Sequence, residues 1–230
     1  MKDNVIEKII KAISLIDRRD YEIYQTKLIS KENIYGWNYK TYENNFVTKF
    51  NEKFALIEYI DNSHDPRDLQ KHLQITKAYI YSEYNDHKVE SAYNRLRSKY
   101  GDTVKDGSIE FETIPDFFIH KGQEDKDPDN QELIIEFKTE LNIPEYRFMW
   151  DFFKLNLYIE KYQFKIACFI CINNSISYVE DFIFQYIEDK HYLATDKNKL
   201  YILVQENYNA KIKYFTLEQF MIQNGYYYDL

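Results

Sequence analysis

The apolar positions of residues 3–17 fall at Val5, Ile6, Ile9, Ile10, Ile13 and Ile16, a helical spacing with one stripe turned toward a core. Two later runs, Tyr21-Glu22-Ile23-Tyr24 and Phe54-Ala55-Leu56-Ile57-Glu58-Tyr59-Ile60, fit either strands or pieces of helix. Asn62-Ser63-His64-Asp65-Pro66 marks a turn. Helical spacing returns over residues 69–100 through Leu73, Ala78, Val89, Tyr93, Leu96 and Tyr100, in two pieces broken near Asn85-Asp86 and ended by Gly101-Asp102. Three short runs follow, at 108–113, 116–120 and 132–138, with turn residues over 122–130 before the third. Short β-branched and aromatic runs separated this way predict an antiparallel meander.

Asn142-Ile143-Pro144 opens a further helix, since proline suits a helix's first turn. Phe148, Phe152, Leu155 and Ile159 form its apolar stripe. A strand over 164–172 follows, apolar throughout from Ile166, ended by Asn173-Asn174-Ser175. The remainder predicts a helix over 178–186, a strand over 200–205, a helix over 217–223 and a surface tail from Gly225. Helix, three strands, helix, strand is the order of an α/β layer arrangement. There is neither a repeat nor a low-complexity linker.

Composition narrows this picture. The 230 residues are 44% hydrophobic and 30% charged, enough for a sizeable core in one large domain. Because tyrosine alone occurs 23 times, single exposed tyrosines carry no functional signal. The net charge of −8 argues against an unassisted nucleic-acid clamp, because phosphate binding is largely neutralisation by Lys and Arg. It leaves room for a site in which a divalent cation reverses the local field. No apolar stretch is long enough to span a bilayer, and Glu7, Lys8 and Lys11 interrupt any signal-peptide pattern, so the expected compartment is the cytoplasm. Cys168 and Cys171 form a lone CxxC without a second ligand pair, and three residues apart in a strand they point to opposite faces; both read as small buried hydrophobes.

The candidate chemistry lies in two strand runs. Glu136 and Lys138 are two apart and share a strand face, while Ile135 and Phe137 take the other. On the preceding strand Asp116, Phe118 and His120 share a face. If the two faces coincide, Asp116 approaches Glu136, and two carboxylates that close repel unless a cation stands between them. Mg²⁺ suits such a site, being held by one or two carboxylates, waters and substrate phosphate. Lys138 would then orient water or neutralise charge developing on phosphorus. His120 reads as a polar residue at a strand end. Asp151 and Lys154 share a helix face, and fit a surface ion pair or a lysine at the rim of the site equally well. Arg95, Arg97 and Lys99 are either a solvated helix end or a DNA-facing patch.

Pro115-Asp116 followed by Glu136-Phe137-Lys138 resembles the PD-(D/E)XK, or restriction-endonuclease-like, nuclease superfamily. The longer run Pro115-Asp116-Phe117-Phe118-Ile119-His120-Lys121 and the segment Asp151-Phe152-Phe153-Lys154-Leu155 resemble bacterial nuclease-like proteins of that kind. The resemblance spans roughly residues 80–175. It implies an αβββαβ core, a central mixed four-stranded sheet flanked by helices, with helical or mixed N- and C-terminal extensions. Residues 1–75 would be an extension packed on the core, and 76–230 the nuclease-like domain with a C-terminal helix-strand-helix.

The resemblance further implies Asp116, Glu136 and the Phe137 carbonyl as metal ligands and Lys138 as the catalytic lysine. An acid from the helix before the meander would join them, with Glu90 the first candidate, Asp86 close behind and Glu83 third. The expected function is a Mg²⁺-dependent DNA endonuclease of bacterial or phage-defence type, with Mn²⁺ as substitute. The alternative is a catalytically silent nuclease-fold protein that binds nucleic acid or serves as an assembly subunit. A homodimer, or a partner protein that supplies target recognition, fits either.

Overall fold

The computed structural model describes residues 2–21, 37–60, 76–78, 87–100, 111–113, 115–120 and 128–226. Its centre is a five-stranded mixed sheet in the order β3-β4-β5-β6-β7, formed by β3 (Phe117–His120), β4 (Gln131–Lys138), β5 (Ile166–Ile172), β6 (Leu200–Gln205) and β7 (Lys213–Thr216). The two inner pairings, β4 with β5 and β5 with β6, are parallel, and the outer pairs β3–β4 and β6–β7 are antiparallel. Every residue of β5 and β6 is buried, as expected for parallel strands covered on both faces.

Helices close both faces. On one side lie α1 (Lys2–Ser14), the short α2 (Arg18–Tyr21) and α3 (Trp37–Ile60). Ile6, Ile9 and Ile13 of α1 and Phe46, Phe50 and Phe54 of α3 pack there with Ile135, Phe137, Cys168 and Ile170 of the sheet. On the other side lie α4 (His87–Tyr100), α5 (Glu145–Lys161), α6 (Ile176–Glu188) and α7 (Leu217–Gln223). Their core joins Phe148, Phe152 and Leu155 of α5 to Ile134, Phe169, Cys171 and Ile202. Each fully buried Phe, Leu or Ile contributes about 1.5–3 kcal/mol relative to exposure. The helices of the expected N-terminal extension thus form one whole covering layer.

α5 has solvent on almost no side. α4 lies against it through Val89, Ala92, Tyr93 and Leu96, with the Tyr93 and Trp150 rings 5.8 Å apart. Pro144 stands one residue outside the first turn of α5, as its N-cap. Lys99 ties the end of α4 to Asp189 at 2.7 Å and to Glu145 at 3.3 Å, and Arg95 donates to the Lys190 carbonyl. Two members of the basic cluster are therefore held by the protein itself.

The sheet departs from the four-stranded expectation in three places. β6, expected in the C-terminal extension, and β7 both join it, and the first run of the meander leaves it: β2 (Phe111–Thr113) pairs with β1 (Thr76–Ala78) in a separate two-stranded ribbon. The sequence Ile114-Pro115-Asp116 between β2 and β3 lacks the Gly or Asn that a tight hairpin favours. β1 also replaces part of the helix expected over 69–100; residues 69–75 and 79–86 lie outside the described set. The run 54–60 belongs to α3 and is helical, whereas residues 22–24 lie outside the described residues. Cys168 and Cys171 do face opposite sides of β5, one in each core, and both are free thiols that burial pushes to high pKa.

His191, just past α6, is buried beside the Tyr186 ring, and neither ring nitrogen has a hydrogen-bond partner among the described residues. Burial lowers its pKa below the ordinary 6.5, against Asp189 and with help from Lys99 and Arg95. The folded state keeps the ring neutral while the unfolded chain takes up a proton, so His191 costs stability as pH falls through 6.5. Relative to wild type, His191→Phe is expected to gain in urea midpoint from about pH 7.5 to about pH 5.5. A midpoint difference that does not change with pH contradicts this account.

Candidate active site

The site forms where β3 begins and β4 ends. The β3–β4 register pairs Phe117 with Ile135 and Phe118 with Ile134. One residue further, it sets Asp116 opposite Glu136. Phe118 and Ile134 belong to the core under α5, so by alternation Asp116, Glu136 and Lys138 face the same way. The half-buried Asp116 accepts a hydrogen bond through Oδ2 from the Phe137 N–H at 2.7 Å. That bond ties the strand start to the strand end.

α5 supplies two more charges. Asp151 and Lys154, one turn apart, lie on the sheet side of this buried helix. Asp151 Oδ2 is 2.6 Å from Lys138 Nζ, and Asp151 Oδ1 is 2.6 Å from Lys154 Nζ. Lys154 Nζ also donates to Glu136 Oε1 at 2.8 Å, and Lys138 Nζ donates to the Phe137 carbonyl at 2.8 Å. Glu136, Lys138, Asp151 and Lys154 are only 2%, 3%, 8% and 7% exposed, so the surface reading of the Asp151–Lys154 pair is corrected: both side chains lie against β4, where Lys138 and Glu136 meet them.

Sequence reading missed the acid that reaches this network from the opposite face. Glu43 of α3 places Oε2 3.7 Å from Lys138 Nζ. It precedes Phe46 by three residues and Phe50 by seven, so it lies on the buried stripe of its helix. That periodicity was the available signal. Glu140, just beyond β4, pairs through Oε1 with Arg147 at 2.9 Å. The Oε2 atoms of Glu43 and Glu140 are buried without a hydrogen-bond partner among the described residues.

Glu90, the first candidate for the helix acid, is not brought to this network. It stands 3.6 Å from His87 and lines a surface groove with Ser91, Asn94, Arg95 and Ser98, on α4. Asp86 and Glu83 lie outside the described residues. Of His120, the structure gives the backbone at the end of β3, after a register shift between Ile119 and His120.

The electrostatics show carboxylate in excess of its cations. Burial pushes Glu136 well up, with Lys154 opposing and Asp151 and Asp116 adding to the rise. Burial also raises Asp116, against Lys138 and the Phe137 N–H, and lifts Glu43 to about 8, against Lys138. Asp151 behaves differently: burial would raise it, but Lys138 and Lys154 together hold it at about 2. Burial alone would lower both lysines, yet their carboxylates outweigh it, and Lys138 and Lys154 stay charged with raised pKa values. Among the described residues no three His, Cys, Asp or Glu side chains stand together as a metal-holding group. No helix among the described residues is long and apolar enough to cross a membrane.

Comparison with protein-family models, with curated proteins and with solved structures gave no match.

Lys154→Met leaves Glu136 buried without its cation and is expected to cost about 3–5 kcal/mol in chemical denaturation. Glu136→Gln combined with Lys154→Met should recover most of that loss, since Asp151 keeps Lys138. Equal loss in the single and double variants contradicts the pairing.

Proposed function

We propose that the chain is a Mg²⁺-dependent phosphodiesterase that cuts DNA, an endonuclease of bacterial or phage-defence type, with Mn²⁺ as a substitute. Asp116, Glu136 and the Phe137 carbonyl would hold the cation, and Lys138 is the catalytic lysine. The observation that carries this reading is the meeting of Asp116, Glu136 and Lys138 in one buried, carboxylate-rich network at a strand end. The donors are hard oxygens, and the Oε2 atoms of Glu43 and Glu140 have no hydrogen-bond partner among the described residues; this chemistry fits Mg²⁺.

When bound, the cation supplies polarisation of a phosphoryl oxygen and a more acidic water. The chain's own groups do the rest. The Phe137 N–H fixes Asp116. Lys154 holds Glu136 in place. Lys138 stays protonated and presents a permanent positive charge where negative charge develops on phosphorus. Burial of the network excludes bulk water and strengthens each of these interactions. A second reading has its own support: the Phe137 carbonyl is already taken by Lys138 and Glu136 by Lys154. A network so fully paired also suits a silent nuclease-fold subunit, one that docks a partner or a second copy, as the −8 net charge favours.

Plasmid, linear and single-stranded DNA incubated with the protein and Mg²⁺ or Mn²⁺ should be cleaved, and Asp116→Ala and Lys138→Ala should each lose at least about 10²-fold in rate. Cleavage that survives both substitutions eliminates the assignment. Absence of cleavage together with no calorimetric signal for either metal selects the silent subunit.

A further inference from the structure

Asp151 stands at the centre of the buried network, and the Asp116–Glu136–Lys138 motif leaves it without a role. Its two carboxylate oxygens are divided between two ammonium groups, Oδ2 to Lys138 and Oδ1 to Lys154, each at 2.6 Å. The next contact outward from Lys154 is Glu136 Oε1 at 2.8 Å, and the next outward from Lys138 is the Phe137 carbonyl at 2.8 Å. A single side chain is thus one step from the lysine, the carboxylate and the main-chain oxygen to which the proposed reaction gives roles.

The placement of Asp151 is rigid. It is held on a helix packed between the sheet and α4, with Phe152 and Phe153 beside it fully buried. Its geometry sets each ammonium by a short charge-assisted bond, which fixes direction as well as distance. Without it, two buried ammonium groups would face each other with less anion between them, and among the described residues Lys138 would keep the Phe137 carbonyl and the more distant Glu43.

We infer that Asp151 is a positioning residue: it holds the Lys138 ammonium and, through Lys154, the Glu136 carboxylate at their working separation. The inference rests on the proposed phosphodiesterase reading for its kinetic consequence, but the positioning itself can be observed without turnover.

Two variants and two readouts test it. Asp151→Asn keeps shape but presents an amide to one of the ammonium groups, and Asp151→Glu keeps the charge. In spectra of protein carrying ¹⁵N-labelled lysine, the Lys138 and Lys154 ammonium protons of wild type should be protected from solvent exchange. Asp151→Asn should lose that protection at both lysines, and Asp151→Glu should retain it at Lys138. In DNA cleavage with Mg²⁺, Asp151→Asn should lose about 10²-fold in kcat, as expected for a misplaced reacting group, with KM changed little. Asp151→Glu should recover part of the loss. Wild-type protein that protects both lysines yet cuts no DNA overturns the phosphodiesterase reading and leaves the positioning intact. Unprotected Lys138 in wild type, or Lys138 protection unchanged in Asp151→Asn, overturns the positioning, as does an active Asp151→Asn enzyme with wild-type kcat.

Discussion

Charge pairing inside the α5–β4 contact is the constraint on which this structure turns. The contact is otherwise apolar, made by Phe148, Phe152, Leu155, Ile134 and Phe169. Into it the chain places Glu136, Lys138, Asp151 and Lys154. An isolated ionised group there would cost several kcal/mol. The four survive because they alternate in sign and because their spacing, two residues on a strand and three on a helix, turns each pair onto one face. Moving either element by one residue would separate them. The network therefore sets the register between helix and sheet as firmly as the surrounding aromatic packing does.

Asp116 and Glu43 approach this network from outside it and bring acid in excess of its two lysines, while Glu140 nearby is paired with Arg147. Burial is the main cause of the raised pKa values of Glu43, Asp116 and Glu136, and the crowding of carboxylates adds to it. Stability alone would favour fewer carboxylates there. Perturbed acids gathered at a strand end are common where a protein handles cations or phosphate, which is why the cluster supports a functional reading more strongly than any one of its residues.

Much of this was legible in sequence where pattern and burial coincide. β6 and α7 match their expected spans, 200–205 and 217–223. The alternation that put Glu136 and Lys138 on one face of β4 holds. β7 was not legible, because Lys213 and Tyr214 are exposed and a four-residue edge strand leaves little pattern. α3 was obscured because its end, residues 54–60, is rich in the aromatic and β-branched types that also mark strands. Glu43 went unread with it. Asp151 and Lys154 were visible as a pair, but their burial depends on that face of α5 packing against β4, a tertiary fact that no local spacing encodes.

The inner network is also close in sequence. Glu136 and Lys154 are 18 residues apart, within one β4–α5–β5 crossover, whereas Asp116 lies 21 residues from its Phe137 partner, and Glu43 must come from a distant helix. Closing a short loop costs less chain entropy than closing a long one, and local contacts set the pace of folding. The chain order therefore lets the two lysines meet Asp151 and Glu136 before α3 covers the other face of the sheet. In that order, opposite charges would be matched while water can still reach them, before the helix that brings Glu43 closes over them.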